Sequence, residues 1–224
     1  MISSVPGSKG LSLGGSRARP WSPKALFCFC FLFLSPALAT PTAIPPGQTL
    51  HGHFVQERHL EGFAHPVRSE GRFSLIPGRG LIWRTETPFP VITVVTPAGL
   101  VQSVDGVETT RLSTARLPFL AHLYAMMNGA LAGDWSALET EFAVGRESAG
   151  SATRVTLTLR HSDASDAVAI RSIIATVDRF VEEVDLVKPG GDFDHLRFTD
   201  QQISTGPPAA DEAALLDAAG NVKE

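Results

Sequence analysis

Segments in which apolar and polar residues alternate dominate the chain after residue 50, and short turn sequences separate them. Alternation with a period of two places successive side chains on opposite faces of a β-strand. Turn pairs such as Asp105-Gly106 and Gly190-Gly191 favour tight connections, which are typical of an antiparallel sheet. The chain therefore predicts about ten antiparallel strands, in the segments HGHFVQE, RSEGRFSLI, GLIWRTE, PVITVVT, GLVQSVD, TEFAVG, TRVTLTLR, AIRSIIATVD, FVEEVDLV and FDHLRFTDQ.

The same alternation assigns faces within the predicted strands. In RVTLTLR, the side chains of Val155, Leu157 and Leu159 point to one face and the intervening threonines to the other. In GRFSLIPGRGLIWRTETPFP, residues 71–90, a turn rich in proline and glycine joins two strands of this kind. PVITVVT is apolar on both faces, which favours a central strand that is covered on each side. We therefore expect one apolar face and one more polar face.

One segment departs from the alternation. In LPFLAHLYAMMNGALAGDWSALE, residues 117–139, apolar residues at helical spacing predict an amphipathic helix. Gly133 can end this helix, and Asp134 can cap a short following turn of helix. A sheet of this size has more apolar surface than one helix easily covers, so we expect the sheet to curl on itself or to hold a ligand. The C-terminal DEAALLDAAGNVKE predicts either a loose helix or a disordered tail, to which we assign no function.

The N-terminus predicts a cleaved export signal over residues 1–39. Basic residues precede the apolar run ALFCFCFLFLSPALA, which ends in small residues that suit signal-peptidase cleavage. This run has 15 residues, fewer than the roughly 20 that a bilayer-spanning helix needs. Cys28 and Cys30 both lie in it, so we expect neither a disulfide nor thiolate chemistry in the mature chain. Phe27 and Phe29 precede the cysteines where a lipidated protein needs a small residue, so we expect no lipid anchor.

The predicted mature chain is acidic. Residues 1–39 hold four of the 19 basic side chains and none of the 23 acidic ones, so the remaining chain has a formal charge of −8. This charge disfavours nucleic acid as a partner. We expect an extended leader over residues 40–49, a single domain over residues 50–204 and a C-terminal tail over residues 205–224.

The residues that could carry out catalysis form no familiar catalytic motif. No serine lies in a strand-turn-helix elbow, and no phosphate-binding glycine loop opens a helix. His51 and His53 share a face of one predicted strand, but no cysteine or paired carboxylate completes a metal site. Turn carboxylates and an edge-strand histidine account for Asp192, Asp194 and His195. We therefore expect no enzymatic activity, no cofactor and no metal site.

The order of the elements resembles the LolA family of periplasmic outer-membrane lipoprotein carriers over residues 50–204. The resemblance implies a mainly β fold with α cover (α+β): a curved antiparallel half-barrel sheet that encloses an apolar cavity and is covered by one or more helices. Ile76 stands where members usually have an arginine, and the proline-rich leader stands where they have a helix, so the chain resembles a divergent member. The matching residues are Phe54 and Gln56 in GHFVQ, then Gly71, Phe73, Pro77, Trp83 and Pro88, the Pro118-Phe119-Leu120 helix start, and the strands from Val155 to Phe198.

The resemblance implies a monomeric periplasmic carrier that binds the acyl chains of a lipoprotein, another lipid or a glycolipid and moves them toward the outer membrane. It also implies an inner-membrane transporter and an outer-membrane receptor as partners. The expected rim of the cavity is Ile76, Pro77 and Arg79. The residues expected to line the cavity are Phe73, Leu75, Leu81, Trp83, Phe89, Ile92, Val94, Phe119, Leu123, Met126, Met127, Leu157, Phe180 and Phe198.

Two other functions stay open on the sequence. One is a non-catalytic periplasmic scaffold or binding protein of an envelope complex, in which the sheet is filled by its own side chains. The other is a hydrolase or metal enzyme built on the histidines. Met126 and Met127 give the predicted helix a flexible face that fits a ligand and a packed core equally well.

Overall fold

A computed structural model of the chain describes residues 44–117, 124–125, 128–129, 131, 136–139, 142–160 and 170–221. All of them lie in the second of two compact units, which comprise residues 1–36 and 37–224. The predicted export signal lies outside the described residues. Of the helices within the described part of the chain, none is long and apolar enough to cross a lipid bilayer.

The described residues form one curved, open antiparallel sheet of eleven strands, which confirms the predicted fold class. The strands are β1 (Gln48–His59), β2 (Val67–Ile76), β3 (Gly80–Thr87), β4 (Val91–Thr96), β5 (Gly99–Val104), β6 (Val107–Ser113), β7 (Phe142–Ala149), β8 (Ala152–Leu159), β9 (Ser172–Val177), β10 (Val181–Val187) and β11 (Phe193–Thr205). Their spatial order is β6-β5-β4-β3-β2-β1-β11-β10-β9-β8-β7. Every neighbouring pair is consecutive in sequence except β1 and β11, whose pairing joins the two halves of the sheet.

The stretch 71–90 contains the predicted hairpin of β2 and β3. Phe73 pairs with Trp83 and Leu75 with Leu81, so these four side chains share one face. The register shifts by one residue next to Gly71, where a Cβ atom would lie 1.9 Å from the carbonyl oxygen of Arg84. Since no side chain fits so close to a backbone oxygen, the approach of β3 to β2 at this bulge requires glycine.

The larger apolar cluster lies on one face of the sheet, which we call the inner face. It extends across β1 to β3 and β7 to β11, with Phe142 as its buried member from β7, as the alternation predicts. Ile44, Leu131 and Leu138, which lie outside the strands, pack against it. The inner face carries Leu50, Phe54, Phe73, Leu75, Leu81, Val155, Leu157, Ile173, Ala175, Val177, Val181, Val184, Leu196 and Phe198.

The C-terminal helix α1 (Ala210–Gly220) covers part of the opposite face, which we call the outer face. Leu216 of this helix packs on Ile76, Ile82 and Val94, which project from β2, β3 and β4. The predicted loose helix is thus a docked one. The segment offers few large apolar side chains, so the sequence pattern alone gives little sign that the helix has a partner surface.

Polar contacts fix the first turn of α1 on the outer face. The buried carboxylate of Glu212 accepts a hydrogen bond from the Ser74 hydroxyl at 2.5 Å and another from the backbone N–H of Ala209 at 3.2 Å. The second bond satisfies an amide that the start of a helix leaves free. Arg84 donates to the exposed carboxylate of Asp211 at 2.9 Å, and such solvated pairs contribute little to stability.

A buried carboxylate joins β1 to the β10–β11 connection at one end of the inner face. Asp194 accepts hydrogen bonds from Arg58 Nε at 2.8 Å and from Lys188 Nζ at 2.5 Å. Burial by itself would raise the pKa of Asp194, but the hydrogen bonds from Lys188 and Arg58 outweigh burial and lower it. We call Arg58, Lys188 and Asp194 the charged cluster.

The sequence interpretation of β11 as an edge strand is wrong. β11 lies between β1 and β10, so His195 occupies an interior strand, where its Nδ1 lies 2.6 Å from the Asp185 carboxylate. Asp192 accepts a hydrogen bond from the backbone N–H of Glu61 at 2.8 Å. The error arises because the partner strand β1 lies far away in the sequence, and alternation within one segment does not identify its neighbours.

Gly80→Ala should lower the free energy of unfolding by about 2 kcal/mol through overpacking. A Cβ atom at Gly80 would lie 2.7 Å from Leu216 Cδ2 and 2.6 Å from the Val95 carbonyl oxygen, and the backbone oxygen cannot move aside cheaply. Gly145→Ala is the matched control, since the nearest atom to its Cβ would be 3.8 Å away. Urea unfolding of both variants measures the difference, and equal effects would contradict the close docking of α1.

Asp194→Asn should cost about 2 kcal/mol of unfolding free energy near pH 7, where the carboxylate is ionised and paired. The lowered pKa of Asp194 gives stability that is present above the ordinary aspartate pKa of about 3.9 and is lost as the pH falls through the folded-state value. The difference between wild type and variant should therefore shrink as the pH falls below the ordinary aspartate pKa of about 3.9.

Denaturant unfolding across this pH range measures the difference, with Asp185→Asn as the control. The Asp185 side chain is 40% exposed and pairs with His195 on the outer face, so its loss should cost less than about 1 kcal/mol near pH 7. A cost for Asp194→Asn that does not change with pH would contradict the assignment.

Candidate functional site

Four aromatic side chains occupy the centre of the inner face, and we call Phe54, Phe73, Trp83 and Phe198 the aromatic cluster. Trp83 stacks on Phe54 with 3.8 Å between ring centroids. Phe198 meets Trp83 and Phe73 edge-on, at 6.1 and 5.5 Å. Phe54, Phe73 and Trp83 come from β1, β2 and β3, and Phe198 comes from β11. The cluster therefore spans the junction between the two halves of the sheet.

A glycine makes room for the aromatic cluster. Gly52 pairs with Phe73 across β1 and β2, and a Cβ atom at Gly52 would lie 2.6 Å from Phe73 Cε1. The Phe73 ring therefore lies over the β1 backbone. Phe54 and Phe73 are each 1% exposed, whereas Trp83 is only partly buried. Trp83 is thus the member of the cluster that keeps surface available for another molecule.

The inner face becomes polar towards one end. Gln56 and Arg58 follow Phe54 on the same face of β1, because residues two apart on a strand share a face. Arg58 pairs with Asp194 of β11, which shares a face with Leu196. At about 3.3 Å per residue, the charged cluster begins roughly 13 Å along β1 from Phe54. The inner face therefore has an apolar centre and a charged end.

The structure places the described members of the predicted cavity on the inner face, on the outer face and in one exposed connection. Ile92 and Val94 pack against α1 on the outer face, and Phe89 is 70% exposed in the connection between β3 and β4. Because β4 is apolar on both faces, alternation could not decide which face Ile92 and Val94 occupy. Phe119, Leu123, Met126 and Met127 lie outside the described residues. The inner-face cluster brings together Phe73, Leu75, Leu81, Trp83, Leu157, Phe180 and Phe198.

The three predicted rim residues lie at the end of β2 (Ile76) and in the β2–β3 connection (Pro77 and Arg79), which reaches the outer face. Ile76 is buried against α1. Arg79 donates to the carboxylate of Asp217 in α1 at 2.5 Å. Pro77 lies between them and is partly buried. This turn is therefore tied to α1.

Part of the predicted helical segment 117–139 reaches the same turn. Residues 124–125, 128–129 and 131 of this segment are α-helical, and Ser136–Leu138 forms a short 3₁₀ helix. Burial raises the pKa of the Tyr124 phenol, and the nearby backbone of Gly78 offsets part of this shift. Tyr124 therefore lies beside the β2–β3 connection.

The two histidines considered as metal ligands have other partners. The ring nitrogens of His51 lie 3.1 Å from the hydroxyl oxygens of Ser74 and Ser204, and His53 Nδ1 lies 3.3 Å from the Asp200 carboxylate. Both line an outer-face cavity of about 840 Å³ beside the start of α1. No group of three or more His, Cys, Asp or Glu side chains among the described residues is placed to hold a metal ion.

Sequence reasoning missed the charged cluster. Asp194 alternates with the apolar residues Leu196 and Phe198 along β11, and this spacing could have indicated that Asp194 lies on the inner face. Nothing local in the sequence pairs Asp194 with Arg58, which lies in the first strand. The cluster becomes visible only once β1 and β11 are known to be neighbours.

Comparison with solved structures gives distant similarities. A LolA superfamily protein from Nitrosomonas europaea is 8% identical, with 75% of this chain and 90% of that chain covered and a TM-score of 0.36. A DUF1329 family protein from Desulfovibrio piger is 8% identical, with coverages of 72% and 88% and a TM-score of 0.39. A chain of the MucA/MucB complex from Pseudomonas aeruginosa is 18% identical, with coverages of 74% and 54% and a TM-score of 0.35. No curated protein matches the sequence.

Comparison with protein families gives a clear assignment. Residues 43–183, more than half of the chain, match the family described as outer membrane lipoprotein carrier protein LolA-like. The matched region contains β1 to β9 and most of the inner face. The chain therefore belongs to the LolA-like family of outer membrane lipoprotein carrier proteins.

Proposed function

We propose that the protein is a periplasmic carrier that binds the acyl chains of a lipoprotein or another lipid on the inner face of the sheet and moves them toward the outer membrane. The observation that carries this proposal is the aromatic cluster, in which Trp83 keeps part of its apolar surface available. Membership of the LolA-like family and the predicted export signal support the proposed cargo and location.

The energy of lipid extraction explains why such a carrier needs a broad apolar surface. Removing one sixteen-carbon chain from a membrane costs about 12 kcal/mol at about 0.8 kcal/mol per methylene, so the protein must replace most of that contact. The apolar cluster that runs from Trp83 on β3 to Ala175 on β9 has this breadth, and a lipid would contact its partly buried members, such as Trp83, Phe180 and Leu186.

The proposed carrier has no catalytic role. Because the sequence contains no nucleotide-binding motif, energy for loading would come from an inner-membrane transporter. Unloading would run downhill to an outer-membrane receptor that binds the lipid more tightly.

One observation favours a second function. Phe54, Phe73, Leu75 and Leu81 are each 0 to 1% exposed, so other side chains already cover them. A core filled in this way suits a non-catalytic scaffold or binding protein of an envelope complex. The two functions differ in whether the inner face admits a ligand.

Trp83→Ala should weaken lipid binding about tenfold, because it removes the exposed ring of the aromatic cluster. Displacement of the neutral dye N-phenyl-1-naphthylamine by palmitate measures binding, and a thermal melt measures stability. Ile82→Ala is the matched control, since Ile82 neighbours Trp83 but is buried on the outer face. It should lower the melting temperature without changing the affinity of the folded protein. If Trp83→Ala does the same, Trp83 is only a core residue.

Mass spectrometry of organic extracts tests the proposed function directly. The protein is purified from periplasm without detergent, and its intact mass shows whether residues 1–39 have been removed. A stoichiometric lipid or acylated peptide in the extract is the expected result. A protein that yields no lipid and does not bind the dye has a filled core, and the scaffold function then replaces the carrier.

A further inference from the structure

We infer that the lipid bound on the inner face has an anionic headgroup, phosphate or carboxylate, which the charged cluster holds. The inference rests on the proposed function and specifies the chemistry of its ligand. Three properties of the charged cluster support it: its net charge, the exposure of its side chains and its position on the inner face.

The charged cluster has a surplus of positive charge. Arg58 and Lys188 contribute two cations, and Asp194 contributes one carboxylate. The Asp194 side chain is 5% exposed, whereas those of Arg58 and Lys188 are 49% and 33% exposed. The cluster itself therefore presents a positive charge, next to Asp192, whose backbone oxygen accepts a hydrogen bond from the Lys188 N–H at 2.9 Å and whose carboxylate accepts one from the Glu61 N–H.

Arg58 has hydrogen-bond donors that are available to a ligand. Its Nε donates to Asp194, and its two terminal nitrogens form no hydrogen bond with another described residue. A guanidinium group fixed by one carboxylate can bind a second anion through these terminal nitrogens, whose planar geometry matches phosphate and carboxylate oxygens. Asp194 thus holds Arg58 in place for a ligand.

The position of the cluster fits an amphiphile. It lies on the same face of β1 as the aromatic cluster, roughly 13 Å further along the strand. Gln56 lies between the two clusters on this face. A lipid whose acyl chains contact Trp83, which stacks on Phe54, can therefore place its headgroup against Arg58 and Lys188. A neutral headgroup would gain no ionic contact there.

The test compares two lipids that differ only in the headgroup. Dimyristoyl phosphatidic acid and dimyristoylglycerol each displace N-phenyl-1-naphthylamine from the exported protein. Wild type should bind the phosphatidic acid about tenfold more tightly, since charge-assisted hydrogen bonds form only with its phosphate. The preference should decrease at high salt because the cluster is partly exposed.

Arg58→Gln and Lys188→Gln should each remove most of this preference and leave the affinity for dimyristoylglycerol unchanged. Each variant keeps one cationic partner for the buried Asp194, so each is expected to fold. Arg197→Gln is the matched control, because Arg197 lies on the outer face of β11 and pairs with Glu183 at 3.3 Å. The control variant should keep the wild-type preference.

Each outcome has a definite meaning. Equal affinity of wild type for the two lipids overturns the inference and leaves the proposed carrier function standing. A preference that both glutamine variants retain also overturns it. If neither lipid binds, both the carrier function and the inference are wrong. Full competition by inorganic phosphate alone would show a site for free phosphate in place of a lipid headgroup.

Discussion

The pairing of β1 with β11 is the interaction on which the rest of the structure depends. It joins the meander of β1 to β6 with that of β7 to β11, and without it each half would expose an unpaired edge. The aromatic cluster forms across this pairing, because Phe54 lies opposite Phe198. The charged cluster forms across it as well, since Arg58 lies opposite Asp194. One long-range register therefore assembles both parts of the candidate site.

In the proposed carrier, the outer face contributes to stability and the inner face binds the ligand. On the outer face, α1 packs through Leu216 and is held by the buried hydrogen bond between Glu212 and Ser74. None of these contacts involves a side chain of the aromatic cluster. Stability supplied on the outer face lets the inner face keep the partly exposed Trp83, whose surface a tighter core would bury.

Local pattern predicted the parts of the fold that depend on neighbours in sequence. The β2–β3 hairpin, with Phe73 opposite Trp83, follows from alternation around a single turn. The face of Val94 could not be predicted, since β4 is apolar on both sides and only the docking of α1 distinguishes them. The contact of Asp194 with Arg58 could not be predicted either, because it requires a pairing between the first and last strands.

The overall negative charge of the chain explains why binding of an anionic headgroup would need a local cluster of cations. The predicted mature protein has a formal charge of −8, which at long range repels an anionic lipid. At physiological salt, charges separated by more than about 8 Å are largely screened, whereas groups in contact are not. An acidic protein can therefore select an anionic headgroup if it concentrates cations at the point of contact. Asp194 makes this concentration possible, since a buried carboxylate lets Arg58 and Lys188 lie side by side without strong mutual repulsion.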